Sequence, residues 1–305
     1  MKPEIKKALV TGATGFIGQA LSRLLLAGGA KVYGVGRNRA LLEQLRGAGD
    51  FVPVEADFAD YGRLDELAGD AGFDMFWHLA WQGTSTSASA YGVPAIQVEN
   101  VRAACDAALA AARMGARACA IAGSFYQFCR AGACVNPAVY GACKQGAAEL
   151  FKSVAHAAGM PCQCVIFPNV FGAGDKPAAS VRFFAKKMLA GEPLNLVEGG
   201  HTDDWIDVED LAEGMLAAAA RGSDYADYYV GHRNPGTFRE KLIAMKGIIG
   251  SESELLFGTY PESYRVDFSL IDTEALWRDT GWEPRISFER SVRCLAEWLG
   301  GMGDA

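Results

Sequence analysis

Short apolar runs and amphipathic or alanine-rich stretches take turns along the first half of the chain. The run "KALVTG", from Lys7, has the apolar density of a buried strand, and from Phe16 to Leu26 the apolar residues recur at helical spacing. The alternation continues with a strand at "KVYGVG", a helix over Arg39 to Leu45, a strand at "FVPVEAD", a short helix at "YGRLDELAG" and a strand at "DMFWHLA". A long alanine-rich helix is predicted over Pro94 to Met114, then a strand at "ARACAIAGS", a helix over Tyr140 to Ala158 and a strand at "CQCVIFP". Strands alternating with helices imply βαβ units, and so an α/β fold of Rossmann type: a doubly wound parallel sheet with helices on both faces.

Beyond Asn169 the period loosens and Gly and Pro become frequent. Helices are predicted over Val181 to Ala190, Asp210 to Ala220 and Thr237 to Ile248, the last opened by a capping box of Thr237 and Glu240. A strand within 226–231 is expected to return to the main sheet. The expected division is a dinucleotide-binding unit over 1–167 and a smaller α/β substrate lobe over 168–305.

Composition narrows the classes. The chain has 305 residues, half of them hydrophobic, enough for one large domain or two modest ones. A formal net charge of −7 argues against nucleic acid as a partner. The N-terminal apolar run "ALV" is too short for a secretory leader, and "MLAAAA" is too short to span a bilayer, so neither export nor a membrane is expected. The eight cysteines lack metal-ligand spacing. They read as small buried residues of a reduced, cytoplasmic protein, with no metal expected.

Gly12, Gly15 and Gly18 stand between a strand and a helix. In that context glycines permit a tight turn and close approach to a pyrophosphate, with the helix N-terminus supplying N–H groups and a positive dipole end. The next strand ends Gly36-Arg37-Asn38, without the acid that bonds the adenosine ribose in NAD-binding folds. Arg37 either pairs with a ribose 2′-phosphate, favouring NADP over NAD, or is a solvated loop charge. Tyr140 and Lys144, four apart, share a helix face. An ammonium beside a phenol is expected to lower its pKa and make it a proton donor or acceptor near neutrality.

"TGATGFIG", "AGS" and "YGACK" occur in this order, and the chain resembles the extended short-chain dehydrogenase/reductase superfamily acting on nucleotide sugars. "EADFAD", "HLAW", Asn100, "PNVFGAG", "DDWIDVEDLAEG" and "DTEALWRDTGWEPRISFER" are similar to further family segments, so the likeness runs nearly end to end. The resemblance implies that Tyr140 is the acid/base, that Lys144 tunes it and holds a ribose, that Ser124 bonds the reacting oxygen and that Asn100 supports a proton relay. It places the dinucleotide against Gly12, Thr14, Gly15, Phe16, Ile17 and Gly18, against Arg37, Asn38, Asp57 and Phe58, and against Leu79, Ala80, Trp81 and Phe167. The substrate is expected at Trp81, Thr84, Ser85, Ser124, Phe125, Asn169, Arg182 and His201. Thr84 to Ser89 is either a sugar-binding loop or an ordinary flexible one, and His201 either a ligand or a solvated loop residue.

Departures from the family pattern narrow the reaction. Phe125 and Tyr126 follow Ser124 where the family's dehydratases carry an Asp-Glu pair, which argues against water loss. Asp203 and Ile166 stand where family arginines grip a diphosphate, so Arg182, Lys186 or Lys187 would substitute, or the substrate is smaller. The leading expectation is NADPH-dependent reduction of a 4-keto-6-deoxy nucleotide sugar. The alternatives are a redox-neutral epimerase with tightly held NAD(P) and a reductase of smaller carbonyls; a non-catalytic dinucleotide sensor is disfavoured by the Tyr140–Lys144 pair. The alanine-rich helices over Pro94 to Met114 and Tyr140 to Ala158 resemble the family's pairing surface, which implies a homodimer.

Overall fold

The computed structural model describes residues 4–84, 88–129, 135–175, 180–261 and 265–301. The strands β1 (Lys7–Thr11), β2 (Lys31–Gly36), β3 (Phe51–Glu55), β4 (Met75–His78), β5 (Cys119–Ser124), β6 (Cys162–Phe167) and β10 (Asp227–Tyr229) form one sheet, in the order β3-β2-β1-β4-β5-β6-β10. Every neighbouring pair in it is parallel. The chain winds outward from β1 to β3 and then crosses back to β4, so the direction of winding reverses between β1 and β4. In such sheets ligands bind outside the carboxyl ends of the strands at that reversal.

Side chains alternate across the sheet, as the pleat requires. Leu9 of β1 packs on one face with α4 (Pro94–Arg113) and α5 (Val135–Ala157). Its neighbours Ala8 and Val10 pack on the other with α1 (Phe16–Ala27), α2 (Arg39–Arg46) and α7 (Val208–Arg221). The buried face of α4 is built from Ala103, Ala104, Ala107, Ala108, Ala110 and Ala111, which lets α5 lie close against it. Cys119, Cys162 and Cys164 are free thiols buried in the sheet. Among the described residues no helix is long and apolar enough to cross a membrane.

A smaller cluster is centred on Phe171, Trp205, Leu242, Val292 and Leu295. It is framed by α6 (Ser180–Leu189), α8 (Phe238–Ile249) and α10 (Phe288–Gly301), with the parallel pairs β7 (Asn169–Phe171) to β9 (Trp205–Asp207) and β8 (Leu194–Leu196) to β11 (Leu255–Phe257). The short strands were not legible because three residues carry no measurable alternation. The expected start of α5 at Tyr140 is corrected to Val135, with Pro137 in the first turn, where a missing N–H costs nothing.

Candidate functional site

The site begins at the turn from β1 into α1. Gly12 has φ +73°, and a Cβ there would stand 2.8 Å from the Ala80 nitrogen, beside Leu79. A Cβ on Gly18 would lie well inside contact with the Gly12 carbonyl, so only glycine lets α1 start against the turn. Gly15 is the N-cap of the twelve-residue α1 and brings no side-chain cap, and no acid lies in the first turn with Phe16 and Ile17. Uncapped N–H groups and the dipole of a full helix suit a pyrophosphate, so these residues fit a dinucleotide. At the carboxyl end of β6, Phe167 is buried.

At the end of β2 a cavity of about 520 Å³ is lined by Thr14, Arg37, Asn38 and Arg39. The Arg37 guanidinium lies 3.9 Å from Asp57 and that of Arg39 3.7 Å from Glu55, long exposed pairs that hold neither side chain firmly. Asn38 is placed here, but its Oδ1 accepts from the Leu41 N–H at 3.1 Å and so caps α2. Asp57 likewise caps the short turn Phe58–Arg63, accepting from the Phe58 N–H at 2.7 Å, and takes a longer bond from Gln82 Nε2. Phe58 itself is buried.

The chemistry-bearing cluster lies where β5 ends. Gln127 accepts the Ser124 N–H at 2.7 Å, and Ser124 Oγ accepts from the Tyr126 N–H at 3.3 Å, a capping box that sets the turn through Phe125. The Ser124 hydroxyl stands close enough to the Tyr140 phenol to favour its charged form. A Cβ at Gly141 would collide with the Tyr126 carbonyl, so the glycine after Tyr140 is what brings α5 onto this turn. Lys144 is buried; its ammonium donates to the Ala122 carbonyl at 2.9 Å and sits 3.8 Å over the Trp81 ring. Tyr140 is walled by Tyr91 at 4.7 Å and by Trp81 and Tyr126 at 5.9 Å, all near perpendicular.

This enclosure corrects one expectation. The Tyr140 phenol is pushed well up from its ordinary value, by burial first and by Tyr91 second, against the opposing effect of the Ser124 hydroxyl. The lowering expected from Lys144 does not win, because its ammonium is directed to Ala122 and the Trp81 face, 5.9 Å from the Tyr140 ring. Nearby His78, bonded to Thr11 Oγ1 at 2.9 Å, is held down at about 3 by burial and by Lys144, and stays neutral.

Asn100 differs from its expected role. It is fully buried; its Oδ1 accepts the Gln82 N–H at 2.7 Å while its Nδ2 donates to the Gln82 and Ile96 carbonyls. The amide staples the chain just past Trp81. Thr84 follows in the same loop, half-buried, while Ser85 lies outside the described residues.

Across the cleft edge, Asn169 Nδ2 donates to Asp203 at 2.9 Å. Asp203 also accepts from Trp205 Nε1 at 2.7 Å and from the Asp204 N–H; burial pushes its carboxyl up to about 7. Arg182 donates to the Asp175 carbonyl and stacks 4.8 Å from Trp298, and Lys187 pairs with Glu192. His201 stacks on Phe238 at 5.4 Å. A feature absent from the sequence reading is Asp204, fully buried, which takes the Tyr229 hydroxyl at 2.8 Å and both the N–H and Nδ1 of His232. A Cβ at Gly231 would strike that carboxyl, which is the signal a glycine before a histidine carried.

Three comparisons agree with this layout. The family model described as NAD dependent epimerase/dehydratase family matches residues 8–231. A UDP-glucose 4-epimerase of Mycolicibacterium smegmatis is 27% identical, over 96% of this chain and 98% of the relative. A UDP-glucuronate 4-epimerase of Thermodesulfobacterium geofontis is 22% identical, over 95% of each. The crystal structure of a UDP-glucose 4-epimerase from Thermotoga maritima, with UDP-glucose, superposes with a TM-score of 0.80 at 20% identity, covering 97% of this chain and 99% of that one, which shows a common fold.

Proposed function

Since the chain belongs to the NAD dependent epimerase/dehydratase family and is an enzyme of the extended short-chain dehydrogenase/reductase type, we propose that it inverts one hydroxyl-bearing carbon of a nucleotide-activated sugar. The carbon is oxidised to a ketone and then reduced again on the opposite face. The observation that carries this reading is the gathering of Ser124, Tyr140 and the buried Lys144 at the end of β5, with Phe125 and Tyr126 following Ser124 instead of carboxylates. Those residues carry no carboxylate for expelling water, which favours redox at one carbon.

The sequence by itself points first to an NADPH-dependent ketoreductase. The near full-length likeness to 4-epimerases supports the redox-neutral cycle instead. In that cycle Tyr140 accepts the hydroxyl proton as the ketone forms and returns it as the alcohol is restored. Ser124 Oγ holds the reacting oxygen, whose charge builds in the transition state. Lys144 is the positive charge of the cluster, buried 5.9 Å from the Tyr140 ring, and a charge there favours the phenolate over the phenol as the proton moves. Tyr91, Trp81 and Tyr126 keep water from the exposed ketone. A nicotinamide dinucleotide, when bound, supplies the hydride acceptor and donor.

The dinucleotide is NADP in our reading, with NAD as the alternative. Arg37 and Arg39 line a cavity at the end of β2, a strand that closes on Gly36-Arg37-Asn38 without an acid of its own, and two guanidinium groups suit a 2′-phosphate. The same feature favours the ketoreductase as the second reading, since NADPH commonly serves as a dissociable reductant. Residues 1–167 with β10 would carry the dinucleotide and the remainder the sugar. Release of the nucleotide from purified protein by acid, with its identification, separates the readings: retained NADP or NAD supports the epimerase, and an empty protein that consumes NADPH supports the reductase. Arg37→Ala is expected to weaken NADP about tenfold and leave NAD unchanged, the size of one charge-assisted hydrogen bond. Tyr140→Phe is expected to cost at least about 100-fold in turnover while the dinucleotide still binds.

A further inference from the structure

We propose that Gln97 is a positioning residue that sets Lys144 through the indole of Trp81. The inference rests on the reading of Lys144 as the partner of Tyr140. Gln97 lies in the second turn of α4 and is fully buried. Its Oε1 accepts the Trp81 Nε1–H at 2.9 Å, and its Nε2 donates to the Ala90 carbonyl at 3.0 Å. Both ends are used, and turning the amide over would set two donors against each other at the indole, so a single orientation is selected.

The far side of this link is the active cluster. Trp81 stands three residues past the end of β4 and presents its face to the Lys144 ammonium at 3.8 Å, with its ring near perpendicular to that of Tyr140. An ammonium is a compact charge on a flexible stem, so a fixed aromatic face limits where it can stand. The Ala90 carbonyl belongs to the turn Ala88–Gly92 that carries Tyr91, whose ring covers Tyr140 at 4.7 Å. One buried amide thus fixes both the face that holds the ammonium and the ring that buries the phenol. An apolar residue at 97 would leave the buried indole N–H and the Ala90 carbonyl without this partner, and the indole would tilt to find another.

The test uses the full-length protein as purified. Gln97→Met is expected to lower kcat about tenfold with KM for the nucleotide sugar changed less than about twofold, since one fixed charge is displaced and substrate contacts are not. The kcat–pH profile should shift, because the ammonium acts on the phenol. Among the described residues, the titratable groups around the pair are Tyr91 and Tyr126 beside Tyr140, His78 from β4 and Cys164 from β6. Trp81→Phe, which keeps a ring and removes the N–H, should act in the same direction, and the double variant should fall no further than the worse single one.

A readout independent of turnover is the Trp81 emission, taken as parent minus Trp81→Phe. Lys144→Met should change it in the parent and not in Gln97→Met. A parent-like kcat and pH profile in Gln97→Met, or emission indifferent to Lys144→Met, overturns the proposal. Should Gln97→Met fail to fold, Trp81→Phe decides through its pH profile: a shift supports the proposal and a parent-like profile overturns it. Turnover surviving in Tyr140→Phe would instead defeat the function proposed above, leaving the emission experiment to judge the placement of Lys144.

Discussion

At the scale of the residue, burial pushes two acids up in the same direction. The Tyr140 phenol is pushed up because its charge would be formed among aromatic rings. Asp203 keeps its proton to about pH 7 because its carboxyl is buried, against the pull of Trp205 and the Asp204 N–H. Unfolded, Asp203 would titrate at its ordinary 3.8, so between that value and about 7 the folded chain binds more protons. The contribution of Asp203 to stability is therefore present at low pH and lost as pH rises through about 4 to 7. Asp203→Asn, which cannot titrate, should gain in thermal midpoint relative to the parent as pH goes from about 5 to about 8, and calorimetry at both ends checks it. A constant difference would show that the buried carboxyl does not titrate in that window. At this scale the sequence was a partial guide. It located Tyr140, Lys144 and Ser124 by order and spacing, yet it could not see that Lys144 lies on Trp81 or that Asn100 is spent on Gln82, because both depend on what the chain brings back from far away.

At the scale of the element, glycines decide how close things come. Gly141 in α5 carries no Cβ where one would strike the Tyr126 carbonyl, and this contact brings the Tyr140 turn onto the end of β5. Gly141→Ala is expected to cost about 1–3 kcal/mol of stability from overpacking. It should also lower kcat, since α5 must back away from Ser124. Denaturant unfolding and turnover measured together check it; an unchanged kcat would show that the Ser124–Tyr140 pairing does not depend on that approach. The long alternating elements of the first half were legible because each repeats its period several times. β7, β8, β9 and β11 were not, being three residues each and recognisable only by the partner strand. In α10 Val292, Leu295 and Trp298 recur at helical spacing and pack into the smaller cluster.

At the scale of the whole molecule, every group in the account stands at one edge of the sheet. The glycine turn follows β1, Arg37 follows β2, Trp81 follows β4, Ser124 ends β5 and Asn169 follows β6. A parallel sheet gathers these residues without any of them being near in sequence, which is why the motifs read as a list along the chain and as a single cleft in space. The helices α4 and α5 pack on each other and still expose Leu109 and Leu150, and we expect this pair to meet its copy in a dimer. Sedimentation should give twice the chain mass; a monomer at micromolar concentration would remove that expectation. The central claim is that hydride leaves and re-enters the same carbon. A UDP-hexose deuterated at C4, incubated with the purified enzyme and followed by NMR, should yield the C4 epimer with the deuterium retained and no net change in reduced nicotinamide. A product that lacks the label, or one that forms only as NADPH is consumed, would contradict it.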